Sequence, residues 1–333
     1  MRNRRSKRSR YNSNLNTLKL ISKILAILII IFLIIFISSF IKHRKNTTHK
    51  TNLSETTEST NQQVLNEVAS NDNQTNTAEN TNVETPSSET TAKSSTINMA
   101  FTGDIMCHNT IYNDALNKQS NTYDFSYIFE DIKYNIQTAD IAVGNLETTF
   151  AGSDKGYSSY PAFNTPESLA YTLKKIGFDV LSTANNHCYD SGYAGIESTI
   201  NYLDEADISH TGTYKSEEDQ NKILIKNVKG INIAFLSFTY GTNGIKVPTD
   251  KSYSVNIIDK DLISKQLALA KEQNPDMICV SMHWGIEYQT TPNSEQKELA
   301  DFLFQNGADI IIGNHPHVLQ NMEKRDIVLE DGT

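Results

Sequence analysis

Hydrophobic and polar positions divide this chain into three stretches of different pattern. The first is continuously apolar. Ile24–Ile41 (ILAILIIIFLIIFISSFI) is eighteen residues without a charge, and Leu18–Ile41 adds only Lys19 and Lys23. At about 1.5 Å per residue such a helix nearly spans a hydrocarbon core, so residues 18–41 are predicted to cross a membrane. The second stretch, Thr51–Thr96, is rich in Thr, Asn, Ser and Glu and has no aromatic residue. It cannot bury enough surface to offset the entropy of ordering, and residues 42–96 are predicted to be a disordered polar linker. The third stretch alternates short apolar runs with amphipathic ones, which predicts one folded domain over residues 97–333.

Within that domain strands are expected at residues 97–103 (INMAFTG), 139–145 (ADIAVGN), 178–186 (FDVLSTANN), 276–283 (DMICVSMH) and 309–315 (DIIIGNH). Two more, ILIKNV and INIAFLSFTY, flank a turn at Lys229–Gly230. KRDIVLEDGT begins another strand and stops abruptly, as in a truncated piece. Helices are expected at 124–134, at 165–176 with Pro166 in its first position, at 192–206, at 259–271 and at 294–306, stopped by Gly307. Apolar strands separated by amphipathic helices predict an α/β domain with helices on both faces. In that class ligands sit beyond the carboxyl ends of the strands.

Charge sharpens the division. Residues 1–50 hold twelve Lys and Arg and no acid, whereas the rest of the chain holds 18 bases against 39 acids. An acidic body repels polyanions, so nucleic acid is not an expected partner. Bases before the apolar run outnumber those after it. The positive-inside bias therefore puts a basic tail, residues 1–17, in the cytoplasm and the folded domain outside the cell. A cleaved signal peptide is the rival reading, but the core is long for one and SSFIKHRK is a poor cleavage site. Cys107, Cys188 and Cys279 form no zinc or disulfide pattern and are expected to pack as small apolar residues.

Polar residues gather at the predicted strand ends. Asp104 follows the first (FTGD), Asn145 and Glu147 the second (VGNLE), Asn186 and His187 the third (ANNH). His283 ends a later strand (SMHWG), and His315 and His317 the last complete one (GNHPH). Carboxylates, a carboxamide and imidazoles are ligands for Zn, Fe or Mn, and one or two divalent ions there would polarise a phosphoryl or carbonyl group. The candidate metal ligands are Asp104, Glu147, Asn186, His283, His315 and His317. His187 and Asp104 are candidate catalytic residues, and Asn145, Trp284 and Glu287 candidate substrate contacts. Plainer roles stay open for each: a cap for Asp104, a turn for Asn186, packing for His283 against Trp284. His108 and His210 read as structural or surface residues. No nucleophile elbow, Walker loop or dinucleotide fingerprint is present.

Together FTGDIM, VGNLET, LSTANNHCYDSG, SMHWGIEY and GADIIIGNHPHVLQ resemble the capsule-synthesis CapA proteins, also called the poly-gamma-glutamate synthesis family. These are distant relatives of the calcineurin-like metallophosphoesterases. The motifs run in family order over about residues 97–320. The resemblance implies a four-layer α/β/β/α body with two sheets face to face. It implies that Asp104 is a first metal ligand, that Glu147 stands where a bridging aspartate usually does, and that Asn186 binds a second metal. It makes His187 the proton donor to a leaving group, with His283, His315 and His317 completing the cluster. Two positions depart from the phosphoesterase pattern. Met106 stands where Asp-x-His would place a ligand, and Glu147 is one methylene longer than aspartate. The implied function is a membrane-anchored extracellular protein of capsule or poly-gamma-glutamate biosynthesis or export, partner of a membrane-bound polymer synthase complex. It would carry a metal-dependent hydrolase or transferase site acting on an anionic polymer. A phosphoesterase acting on a phosphate ester and a non-catalytic scaffold are the alternatives.

Overall fold

A computed structural model describes residues 96–328. The expected basic tail, membrane helix and nearly all of the linker lie outside the described residues. Among the described residues no helix is long and apolar enough to cross a membrane.

The first half builds a parallel sheet. Its strands are β1 (Met99–Ile105), β4 (Ile141–Leu146), β5 (Val180–Ser182) and β6 (Ser209–Thr211), paired in that order. Helices α2 (Glu130–Thr138), α3 (Ser168–Ile176) and α4 (Gly192–Glu205) connect them. Between β1 and α2 lie a short helix α1 (Asn109–Ala115) and a small hairpin, β2 (Leu116–Asn117) with β3 (Thr122–Tyr123). The second half adds α5 (Glu217–Asn221), β7 (Leu224–Val228), β8 (Ile231–Thr239), α6 (Lys260–Glu272), β9 (Met277–His283), α7 (Ser294–Gln305) and β10 (Ile310–Asn314). These strands form a second sheet in the order β10-β9-β8-β7, in which only β7 runs antiparallel to its neighbour.

The α/β expectation holds, with one change of layout. Each sheet carries helices on its outer face only, because the inner faces cover each other. Ile141, Val143 and Val180 share one buried cluster with Ile233, Phe235 and Cys279 from the other sheet. Outside the first sheet Leu169, Leu173 and Ile176 of α3 pack with Ala142, Leu181 and Phe178. Outside the second, Ile263 and Leu267 of α6 and Leu303 of α7 pack with Leu236, Phe238 and Val280. A strand covered on both faces reads as an unbroken apolar run, and all six residues of β4 are buried. Cys107, Cys188 and Cys279 are buried and unpaired.

Several boundaries move, each for a local reason. The helix expected at 124–134 begins later, as a 3-10 turn at Ser126–Phe129 that runs into α2. Asp124 accepts the Ser126 amide at 2.9 Å, which fixes a turn there, and Phe125 is fully buried. β5 stops at Ser182 rather than at 186. The next residues bond through side chains instead: Asn185 donates to the Leu146 carbonyl at 2.7 Å and accepts the His187 amide at 3.1 Å. α3 starts two residues after Pro166. β6 (SHT) carries no apolar run and is made a strand by its pairing with β5. The strand expected from KRDIV is not formed over 321–328.

Parallel strands bring their carboxyl ends to one side. A register shift between Phe101 and Asp104 sets Asp104 opposite Asn145, which in turn lies opposite Ser182. Such a bulge re-aims a side chain at a strand end. In the second sheet Thr239, His283 and Asn314 lie side by side at the corresponding ends.

Candidate metal centre

Asp104 anchors the site. Its Oδ1 accepts the Asn145 amide at 2.7 Å. Its Oδ2 lies 3.0 Å from His317 Nδ1 and accepts the His315 backbone amide at 3.1 Å. Burial raises the Asp104 carboxyl, but the bond to His317, the His283 charge and the bonds from Asn145 and His315 outweigh it and leave it at about 2.

Glu147 is the opposite case. It has no exposed surface, and neither carboxylate oxygen has a hydrogen-bond partner. Its Oε1 lies 3.7 Å from His283 Nε2 and 4.0 Å from His317 Nε2. Burial first, then the charge of Asp104, push it up to about 10.

Three histidines close the cluster. His283 is buried, donates from Nε2 to Asn186 Oδ1 at 2.8 Å, and has Nδ1 3.3 Å from the Asn145 amide nitrogen. Burial pushes its imidazole down to about 3. Burial also lowers His315, whose buried Nδ1 has no partner. The bond to Asp104 raises His317. The GNHPH turn delivers both: His315 (φ 95°) and His317 (φ 53°) adopt left-handed backbone on either side of Pro316. Non-glycine residues rarely adopt that region, and such strain persists only where surrounding structure holds it.

The cluster thus joins sequence-distant groups. Donor atoms of Glu147, His315 and His317 lie within 4.8 Å of one another, and so do those of Asp104, Glu147 and His283. A buried carboxylate with two unsatisfied oxygens is costly. With three imidazoles and a second carboxylate around it, that carboxylate forms a donor set that fits a divalent cation. Asn186 stands beside this set through His283.

His187 stands one contact further out. Its Nδ1 is 2.7 Å from Asp190 Oδ2, which also accepts the Phe163 amide at 2.6 Å. That contact assigns the Nδ1 proton and leaves Nε2 for proton exchange. Asn243, at φ 51°, bridges the two groups. Its Oδ1 accepts from Asn186 at 3.2 Å, and its Nδ2 lies 3.4 Å from the His187 ring nitrogens.

Of the remaining candidates, Asn145 lies within the cluster and Trp284 and Glu287 lie beside it. Asn145 is no surface contact. It is buried, bridging Asp104, His283 and Ser182, whose hydroxyl donates to its Oδ1 at 2.6 Å. Trp284 packs in the outer core of the second sheet, with its indole against Gly313. Glu287 is exposed. His108 contacts Ser159 and Phe163, and His210 pairs with Asp204. Sequence reasoning missed Asp190 and Asn243. Asp190 had a signal, three residues after His187; Asn243 lies in a loop whose turn residues look ordinary. A cleft of about 940 Å³ opens on Asp104, His315 and His317 and is walled by Ile128, Ile132, Leu319 and Met322.

The model of the bacterial capsule synthesis protein family PGA_cap matches residues 98–329. The capsule biosynthesis protein CapA of Bacillus anthracis is 32% identical over 234 residues, covering 68% of this chain and 56% of that protein. The PGA biosynthesis protein CapA of Bacillus subtilis is 30% identical over 230 residues, with 68% and 59% covered. The chain thus spans somewhat more than half the length of these curated relatives. Among solved structures, the calcineurin-like phosphoesterase YfkN of Bacillus subtilis aligns over 67% of this chain and 72% of its own, at 16% identity and a TM-score of 0.40.

Proposed function

The chain belongs to the bacterial capsule synthesis family PGA_cap, and from that premise we propose that it is a membrane-anchored, outward-facing protein of capsule or poly-gamma-glutamate biosynthesis or export with a metal-dependent hydrolase-like site. One observation carries the catalytic part of this reading: the buried, unsatisfied Glu147 carboxylate ringed by Asp104, His283, His315 and His317. These five residues, with Asn186, would hold one or two divalent ions (Mn, Zn or Fe). A bound ion there supplies Lewis-acid polarisation of a carbonyl or phosphoryl oxygen.

The chain's own groups do the rest. Asn145 fixes the Asp104 carboxylate and the His283 ring in one arrangement. Asp190 orients His187 so that Nε2 holds or gives up a proton toward a leaving group. Asn243 ties that histidine to Asn186, so proton donor and ligand keep one spacing. The apolar run at residues 18–41 supports the anchor, and the basic residues before it support an outward domain. The partner on this reading is a membrane-bound polymer synthase complex.

The test is metal analysis of the full-length protein, followed by product analysis with two substrate classes. Release of γ-glutamyl fragments supports amide cleavage in the polymer. Phosphate release from an ester, lost in His187→Ala, makes the protein a phosphoesterase. Protein that takes up none of Mn, Zn or Fe sinks the catalytic reading and leaves a scaffold.

A further inference from the structure

Asn-Gly occurs twice in the chain, at Asn243–Gly244 and at Asn306–Gly307. A glycine amide nitrogen can attack the carboxamide of the asparagine before it, because no Cβ shields the approach. A bond forms from that nitrogen to Cγ and the Cγ–Nδ2 bond breaks. Ammonia leaves with the proton that the amide gives up. Water then opens the succinimide to aspartate or, through its other carbonyl, to isoaspartate. The fold decides which pair can react, since the attacking amide must be free and its backbone able to turn.

The two pairs differ in this respect. Asn306 closes the end of α7. Its Nδ2 donates to the Phe302 carbonyl at 2.8 Å, and the Gly307 amide donates to the Phe304 carbonyl at 2.9 Å. Carboxamide and nucleophile are both held. Asn243 and Gly244 form the centre of a turn. Their φ angles are 51° and 76°, and the Ile245 amide donates to the Thr242 carbonyl at 2.9 Å, the pattern of type I′. That bond uses Ile245, and among the described residues no acceptor takes the Gly244 amide. Both residues are exposed, and the space where a Gly244 Cβ would stand is open.

The contacts of the Asn243 carboxamide favour the step. Asn186 donates to its Oδ1 at 3.2 Å, which stabilises the charge that oxygen carries while nitrogen adds to Cγ. His187 Nε2 lies 3.4 Å from Nδ2, the atom that leaves as ammonia. An imidazole at that distance can pass the proton that a departing nitrogen needs.

We propose that Asn243–Gly244 is a self-modification site, at which Gly244 displaces the Asn243 amide with His187 beside the departing ammonia, while Asn306 keeps its amide. Conversion puts a carboxylate beside His187 and removes the donor that ties it to Asn186, so it limits the working life of this loop. For the test, full-length protein in detergent micelles is aged at neutral pH and physiological temperature. A parallel sample is aged in guanidinium chloride, where both turns are lost. Peptide mapping by mass spectrometry follows aspartate and isoaspartate at each position. In denaturant the two pairs are expected to convert at similar rates. In the folded protein Asn306 should convert at least about fivefold more slowly than Asn243, the effect of one backbone hydrogen bond that must first break. His187→Ala should slow Asn243 in the folded protein and leave its rate in denaturant unchanged. Asn243 that keeps its amide when folded but converts in denaturant overturns the proposal, as does equal conversion of the two pairs in the fold. Faster conversion in His187→Ala makes the histidine a restraint and overturns its part in the step. The readout needs neither metal nor substrate, so it stands or falls apart from the metal-dependent reading.

Discussion

Asp104 and Asn145 face each other across the β1–β4 register, and the Asn145 amide donates to Asp104 Oδ1 at 2.7 Å. The same side chain takes the Ser182 hydroxyl and meets His283, so one buried amide ties the two sheets together at the site. Asn145→Ala leaves these partners unsatisfied and should cost about 1–3 kcal/mol in urea unfolding at neutral pH. The pH dependence has a definite sign. Asp104 falls from an ordinary 3.8 to about 2 in the fold. Its contribution is present above pH 3.8 and is lost as pH falls through about 2. The variant, with one bond to Asp104 removed, should lose less stability across that window.

Glu147 predicts a proton released on ion uptake. Burial, then the Asp104 charge, hold its carboxyl at about 10, so it is protonated at neutral pH. Asp104 is already ionised there, and His283 is already neutral. A ligand must shed its proton to bind a cation. Calorimetry with Zn or Mn at pH 7, in buffers of different ionisation enthalpy, should show protons released on ion uptake, and Glu147→Gln should lower the count by about one per ion, the remainder coming from His317, whose proton the bond to Asp104 favours. Without metal the sign reverses from that of Asp104. Glu147 contributes stability fully below an ordinary 4.5 and loses it as pH rises through about 10. The wild type should therefore lose stability relative to Glu147→Gln as pH rises across that range, and a constant difference would refute the assignment.

The sequence showed which residues carry chemistry better than it showed their spacing. Asp104, Glu147, His283, His315 and His317 were legible because each follows an apolar run, and parallel strands bring such ends together. Trp284 sits beside His283 in sequence, yet successive strand residues point to opposite faces, and its ring turned into the outer core. Asn243 was hidden because a loop residue that acts through a side-chain bridge leaves no periodic trace. β6 was hidden because its strand character comes from β5 rather than from Ser209–Thr211. The two-sheet layout came from family resemblance. Strand-helix alternation alone does not distinguish one sheet covered on both faces from two sheets covered on one.

Gly144 predicts a coupling between packing and ligand geometry. A Cβ there would meet Ile105 Cδ1 and Thr102 Oγ1 at 2.9 Å and Phe178 Cε1 at 3.0 Å. Gly144→Ala should therefore destabilise the domain by about 1–3 kcal/mol through overpacking. The strain falls on β1 beside the Asp104–Asn145 pair, so metal affinity should weaken too. Ile105→Val removes one of the offending atoms, and the double variant should recover part of both losses. Recovery of stability without recovery of affinity would show that β1 does not transmit the strain.

The His187–Asp190 pair predicts a split between binding and turnover. Both side chains are at least 95% buried, and their 2.7 Å contact holds the ring with Nδ1 toward Asp190. A positioned proton donor is worth about 10²–10⁴ in rate. His187→Ala should lower turnover within that range, on whichever substrate class the protein cleaves, and leave metal content unchanged. Asp190→Asn keeps the size of the side chain but changes what it can accept, so the ring loses its fixed tautomer. It should lower kcat more than it raises KM and move the acidic or basic limb of the pH–rate profile. A variant that changes KM alone, with the profile unmoved, would make the pair a packing element of the loop and return proton transfer to another group.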